Sequence, residues 1–213
     1  ELFRSAVRRQ GDVEVDCGLF LSGGVDSSLV AAVARDVFPD RRYRAYTLRF
    51  SEASYDEGAF AEDVARGLGI DSVPVWIKPE DFPAGIAELV RLAGEPLADP
   101  AWVPTALLAR RASQDVKLAL VGEGGDEMFG GYPTYIGAIA AARYARLPAS
   151  LRRIVRLAVD RWPPSDKKVS LSFLLKRFVS GAELEGVQRH LLWTSNIPPP
   201  LLERLGVWAV PRD

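Results

Sequence analysis

Four short apolar runs, separated by stretches of helical period, constrain this chain more than any other feature. Residues 14–21, 44–50, 72–77 and 117–121 read as strands, and residues 29–38, 57–68, 82–93 and 104–113 read as helices. Pro39-Asp40 closes the first of these helices, and Gly69 supplies the left-handed stop expected of the second. Strands that alternate with helices are joined by crossovers, so the pattern predicts an α/β fold: an open, mainly parallel, doubly wound sheet covered on both faces. After Tyr132 the strand signal ends. Residues 135–146, 151–162, 171–179 and 183–192 predict helices, punctuated by Pro163-Pro164 and Pro198-Pro199-Pro200. At 213 residues there is room for one nucleotide-binding core, expected over 1–140, with a C-terminal helical extension of the same domain over 141–213.

Sheets of this class bind ligands outside the carboxyl ends of their strands, and two of those ends carry chemistry here. The first strand stops at Leu21-Ser22-Gly23-Gly24-Val25-Asp26-Ser27-Ser28 and leads into a helix. Two glycines let the backbone turn tightly and approach a ligand, while the helix start offers unpaired N–H groups to phosphate oxygens. Ser22, Ser27 and Ser28 add hydroxyl donors, and Asp26 adds a carboxylate. A carboxylate beside phosphate requires a cation such as Mg²⁺ between them, because two bare anions at contact distance repel. Gly-Gly next to Ser and Asp is also common turn chemistry, but the strand before it and the helix after it favour a pyrophosphate-binding loop.

The second end is Gly122-Glu123-Gly124-Gly125-Asp126-Glu127, directly after the fourth strand and followed by Gly130-Gly131-Tyr132. Alone it reads equally as an exposed acidic turn. Paired with the first loop, it places Asp126 to share a cation with Asp26, in keeping with the habit of Mg²⁺ to take few protein oxygens and several waters. Glu95-Pro96-Leu97-Ala98-Asp99-Pro100, stiffened by its prolines, reads equally as a rigid connection or as part of the site wall. Glu57 and Asp63 read as exposed helix residues.

Composition narrows the partners. A formal net charge of −1 gives no global bias toward nucleic acid or membrane. Arg143, Arg146, Arg152, Arg153, Arg156, Arg161, Lys167, Lys168, Lys176 and Arg177 crowd one stretch that holds only Asp160 and Asp166 as acids. This reads as a solvated helical face rather than a nucleic-acid surface, since no aromatic reading platform accompanies it. Cys17 is the single cysteine, which excludes an internal disulfide and a cysteine metal cage. It reads as a small core residue of the first strand, and His190, the single histidine, reads as structural. Trp162, Trp193 and Trp208 read as helix-packing anchors. No apolar stretch reaches the length of a membrane span and no N-terminal signal pattern is present, so a cytoplasmic location is expected by elimination.

Ser22-Gly23-Gly24-Val25-Asp26-Ser27, the Glu95-Pro96 to Asp99-Pro100 segment, and Gly122 to Glu127 with Gly130-Gly131-Tyr132 together closely resemble the synthetase domain of glutamine-hydrolysing asparagine synthetases. The resemblance covers most of residues 19–132 and continues more loosely through Leu175-Lys176-Arg177-Phe178 and Arg189-His190. The first motif alone fits the wider ATP-pyrophosphatase superfamily, including synthetases of GMP, NAD and argininosuccinate; the acidic motif narrows it. The resemblance implies a ligase domain of asparagine biosynthesis that adenylates the β-carboxylate of aspartate with Mg-ATP, releases pyrophosphate, and lets ammonia displace AMP. By motif position it implies that Ser22, Gly23, Gly24, Asp26 and Ser27 hold the pyrophosphate and that Asp26 and Asp126 hold Mg²⁺. Leu21, Leu48, Val121 and Gly122 would border the adenosine, and Glu123 would be the acid important for forming aspartyl-AMP. ATP and Mg²⁺ are the implied cofactors, with a glutaminase domain in the longer protein as the implied partner and a homodimer left open.

The chain also departs from that pattern. The N-terminal glutaminase domain with its N-terminal cysteine nucleophile is absent, and Cys17 does not replace it. The family's phosphate-facing lysine, set in an Arg-x-Lys context after the second motif, has no counterpart; Lys167, Lys168 and Lys176 lie in other settings. The chain starts at Glu1 without Met and ends at Asp213, before the family's last helices are complete, so a piece of a longer protein is expected. By itself this piece is expected to bind Mg-ATP weakly and to turn over poorly or not at all. Competing readings are a relative that adenylates another carboxylate, such as a β-lactam synthetase or peptide cyclase, and a nucleotide-binding module without turnover. A nucleic-acid-modifying member is supported only by the basic stretch.

Overall fold

The computed structural model describes the chain except residues 98, 166–169, 196, 198–200, 202–203, 205 and 207–213. The expected Pro198-Pro199-Pro200 punctuation, Lys167, Lys168 and Trp208 therefore lie outside the described residues. The chain divides into two compact units, Glu1–Met128 and Phe129–Asp213.

The first unit is built as α1 (Leu2–Gly11), β1 (Cys17–Phe20), α2 (Val25–Val37), β2 (Arg44–Phe50), α3 (Gly58–Leu68), β3 (Asp71–Ile77), α4 (Asp81–Ala93), α5 (Trp102–Ala112), β4 (Leu118–Leu120) and all but the last residue of α6 (Gly125–Phe129). Its strands form a sheet in the order β3-β2-β1-β4, and every pairing is parallel. The architecture is thus α/β, with a parallel sheet between helical layers, as the alternation predicts. On one face Leu19, Leu21, Ala31, Ala34, Ala45, Ala61 and Ala65 make a continuous core with Val7 and Val30. The alanines let α2 and α3 approach the sheet closely, while Leu19, 1% exposed, contributes the ~1.5–3 kcal/mol typical of a buried leucine. On the other face Tyr46 packs with Leu108, Ala112 and Val116. Gly18 makes room for it, since a Cβ there would lie 2.8 Å from the Tyr46 ring. The Tyr46 hydroxyl donates to Asp115 at 3.0 Å, and Arg111 and Arg44 hold the Asp115 carboxyl below the usual carboxylate range.

Two boundaries differ from expectation at the places that matter for the site. α2 starts at Val25, one turn before residue 29, because Gly24 in extended conformation (φ −68°, ψ 163°) caps the helix and Asp26-Ser27-Ser28 form its first turn. Those polar residues lack the apolar period by which a helix is recognised, although an acid in the first turn suits the helix dipole. Residues 125–129, read as a loop, form the short helix α6 after Gly124, whose φ of +87° only glycine adopts readily.

In the second unit α7 (Pro133–Tyr144), α8 (Ala149–Asp160), α9 (Leu171–Gly181) and α10 (Gly186–Thr194) pack around Ala141, Tyr144, Ala182 and Trp193. Phe178 stacks on Trp193 (centroids 6.0 Å apart) and meets Tyr144 edge-on at 5.4 Å. Trp193 therefore anchors helix packing, as expected of it. Part of the basic stretch closes helix ends: Arg177 Nε donates to the Trp193 carbonyl at 2.9 Å, Arg152 Nη1 to Ala145 at 3.2 Å and Arg156 Nη2 to Val179 at 3.3 Å.

Candidate functional site

The strand order sets where a ligand can sit. From β1 the chain builds outward through β2 to β3, whereas β4 is added on the opposite side of β1, so the winding reverses between β1 and β4. A crevice opens at the carboxyl ends of strands on either side of such a reversal. Leu19 pairs with Leu120, so the two motif loops leave the sheet side by side and at the same level.

The loops touch through their backbones. A Cβ on Gly122 would lie 2.6 Å from Ser27 N, 2.9 Å from Ser27 Cα and 3.0 Å from the Asp26 carbonyl carbon. Only a glycine at 122 lets the β4 loop lie this close to the first turn of α2. A Cβ on Gly125 would fall 2.6 Å from Asp26 Oδ2, so the Asp26 carboxylate rests on the first residue of α6, next in sequence to Asp126. The two motif loops thus meet in space, and the contact between them passes through Asp26 and Ser27.

Within the first loop the hydroxyls hold the turn. Ser27, 9% exposed, stands 3.0 Å from Ser22 Oγ; its own oxygen accepts the Ser22 N–H at 3.2 Å and donates to the Gly24 carbonyl at 3.3 Å. The Gly24 N–H donates to Ser22 Oγ at 3.2 Å. Ser22 and Ser27 therefore brace the loop, leaving the N-terminal end of α2 with the unpaired N–H groups of any helix start. Ser28 Oγ is a buried hydroxyl without a hydrogen-bond partner. Gly23, at φ +80°, bears on the Phe60–Ala61 peptide of α3: a Cβ there would meet Ala61 N and Phe60 Cβ, each at 2.6 Å.

The other sequence-selected residues take distinct places. Leu21 is 2% exposed, its side chain lies in the core, and its N–H donates to the Tyr46 carbonyl at 3.0 Å. Leu48 is half-buried against the Tyr46 cluster, while Val121 and Glu123 are exposed and Asp126 is half-buried. Asp99 accepts the Ala101 N–H at 2.9 Å and so organises the start of α5, while Ala98 lies outside the described residues. Asp63 is an exposed helix residue paired with Arg66 at 2.7 Å. Among the described residues no three His, Cys, Asp or Glu gather as a metal cage. What the sequence reading missed is the support behind Gly23: Arg49, Asp56 and the first turn of α3. The adjacency of Asp56 to a Gly58 helix start was the available signal.

A model of the asparagine synthase family matches residues 1–201. The chain belongs to the asparagine synthase family. This family member is 32% identical over 193 residues to asparagine synthetase 1 (glutamine-hydrolysing) of Bacillus subtilis, covering 87% of this chain and 30% of that protein. It is 35% identical over 152 residues to a putative asparagine synthetase (glutamine-hydrolysing) of Mycobacterium bovis, covering 71% of this chain and 23% of the relative. The chain thus spans less than a third of the length of these curated relatives. Among solved structures it is similar to an NH3-dependent NAD synthetase from Campylobacter jejuni, with a TM-score of 0.42 and 12% identity over 92% of this chain and 94% of the other. Both motif loops of this asparagine synthase family chain fall inside the matched residues.

Proposed function

We propose that this chain is the adenylating part of an ATP-dependent amide ligase, in which the β-carboxylate of aspartate attacks the α-phosphorus of ATP and ammonia then displaces AMP to give asparagine. The observation that carries this reading is the contact of Gly122 with Ser27 and of Gly125 with Asp26, which makes one anion-facing crevice from a glycine-rich helix start and an acidic loop. The names of the two relatives support the amide product and a glutaminase elsewhere in the full-length protein as the source of ammonia.

In this reading the backbone of Ser22, Gly23 and Gly24 and the first turn of α2, with Asp26 and Ser27, receive the pyrophosphate. Leu21, Leu48, Val121 and Gly122 border the adenosine. Asp26 and Asp126 are the residues that would hold Mg²⁺, and the donor set fits it: two carboxylates at a phosphate crevice, without an all-protein cage, is how this hard cation is usually bound. Bound there, it would neutralise charge on the departing pyrophosphate. Helix N–H groups aimed at the same oxygens add fixed dipoles in the same sense. Glu123, which is exposed, would meet the acyl substrate during formation of aspartyl-AMP.

The chemistry closes in two displacements. A carboxylate oxygen forms a bond to the α-phosphorus as the bond to pyrophosphate breaks; nitrogen then forms a bond to the acyl carbon as AMP departs. Exchange of labelled pyrophosphate into ATP, measured on the full-length parent with a panel of carboxylates, tests the proposal. Exchange that requires aspartate is expected. Exchange with other acids but not with aspartate would overturn the assignment.

A further inference from the structure

Behind the phosphate loop lies a half-buried ion cluster that the proposed chemistry does not use. Arg49, the penultimate residue of β2, has a side chain only 18% exposed. Its Nε donates to Asp56 Oδ1 at 2.9 Å and its Nη2 to Asp56 Oδ2 at 3.0 Å, a planar fork on a carboxylate, while Nη1 reaches Glu62 Oε1 at 2.5 Å. The guanidinium lies 4.9 Å from the centre of the Trp76 ring, its register neighbour on β3. Asp56 also accepts the Gly58 N–H at 3.3 Å and the Phe50 N–H at 3.4 Å, so it joins the end of β2 to the start of α3.

Asp56 and Glu62 bracket the first turn of α3, and the middle of that turn is the Phe60–Ala61 peptide on which Gly23 rests. The seat is tight on the other side as well, since a Cβ on Gly58 would lie 2.6 Å from Arg49 Cζ. A force path therefore runs from the sheet through Arg49 to α3, and from α3 to the backbone of the phosphate loop. We propose that Arg49 is a positioning residue: it fixes the first turn of α3 against Gly23 and thereby sets residues 22–24 for the pyrophosphate, a role that rests on the nucleotide reading of the loop. An exposed ion pair adds little to anything around it, but a two-carboxylate grip stacked on an indole over-determines its geometry. Lysine cannot reproduce that fork.

The test uses the full-length parent with Arg49→Met, Arg49→Lys and, as a control for loss of a surface ion pair, Arg110→Met, which removes the exposed pair of Arg110 on α5 with Glu88 on α4 (2.5 Å). Two quantities are read: Kd for Mg-ATP by titration calorimetry, and amide exchange of residues 22–24. Arg49→Met is expected to raise Kd at least tenfold and to speed exchange at 22–24 by the same order. Arg49→Lys should fall between, and Arg110→Met should change neither. If Arg49→Met does not fold, the Lys variant carries the comparison. Faster exchange confined to 49–62, with 22–24 and Kd unchanged, overturns the proposal. Absence of Mg-ATP binding in the unaltered parent counts against the nucleotide reading, and exchange at 22–24 then decides the role of Arg49 independently.

Discussion

Gly122→Ala drives a wedge between the two loops, and its size can be worked from the structure. The new Cβ would sit 2.6, 2.9 and 3.0 Å from three backbone atoms of Asp26 and Ser27, none of which can rotate away as a side chain would. Restoring an ordinary contact of about 3.5 Å requires the β4 loop and the first turn of α2 to part by close to ~1 Å. Overpacking of this kind costs about 1–3 kcal/mol of stability. A misplacement of about 1 Å in a positioned site can cost ~100-fold, so Kd for Mg-ATP is expected to rise between ten- and a hundredfold. Gly69→Ala is the matched control: Gly69 has φ +65° at the end of α3 with nothing within 4 Å of a new Cβ, so it strains the backbone by ~1–2 kcal/mol without a wedge. Urea unfolding gives the stability change and calorimetric titration gives Kd. Equal Kd for the two variants at equal loss of stability would refute the reasoning, because it would mean that the spacing of the loops does not matter to the ligand.

Other substitutions probe other links. Asp26→Ala and Asp126→Ala should each remove the Mg²⁺ dependence of nucleotide binding, checked by titrating ATP with and without the ion; survival of that dependence in both variants refutes the cation assignment. Gly67→Ala should stabilise the chain by ~0.5–1 kcal/mol, because Gly67 lies inside α3 with open space where the methyl would go; a lower urea midpoint contradicts this. Asp56 and Asp115 have pKa values lowered chiefly by hydrogen bonds from Arg49 and Arg111 respectively. Each therefore contributes stability that is present above the unfolded aspartate value of about 3.9 and is lost as pH falls through the lower folded value. Urea midpoints should accordingly drop below about pH 4, and Asp115→Asn should make that acid limb shallower.

The site's two strand-end loops were legible because each is continuous in sequence and flanked by recognisable elements: the apolar run to Phe20 announces β1, and the run to Leu120 announces β4. The ends of β2 are legible, since Tyr46, Thr47, Leu48 and Phe50 are apolar or β-prone and a turn precedes the run. The start of α2 was not, because its first turn is built of Asp26, Ser27 and Ser28, which mark a helix end only through the cap that Gly24 provides. α6 escaped for a similar reason, since glycines and acids hide its short period. Arg49 was the larger omission. Its partners are Asp56, Glu62 and Trp76, and its effect on Gly23 passes through a backbone contact with Phe60 and Ala61, so the relation exists only once β2, β3 and α3 have been placed in space.

In the proposed reaction, the crevice between Ser22 to Ser28 and Gly122 to Glu127 joins a carboxylate to the α-phosphorus of ATP. Aspartate labelled with oxygen-18 in its β-carboxylate, turned over by the full-length parent with Mg-ATP and ammonia, reports on that bond directly by mass spectrometry of the nucleotide. One labelled oxygen in AMP is the predicted result. Unlabelled AMP, or label in inorganic phosphate released alongside ADP, would contradict it.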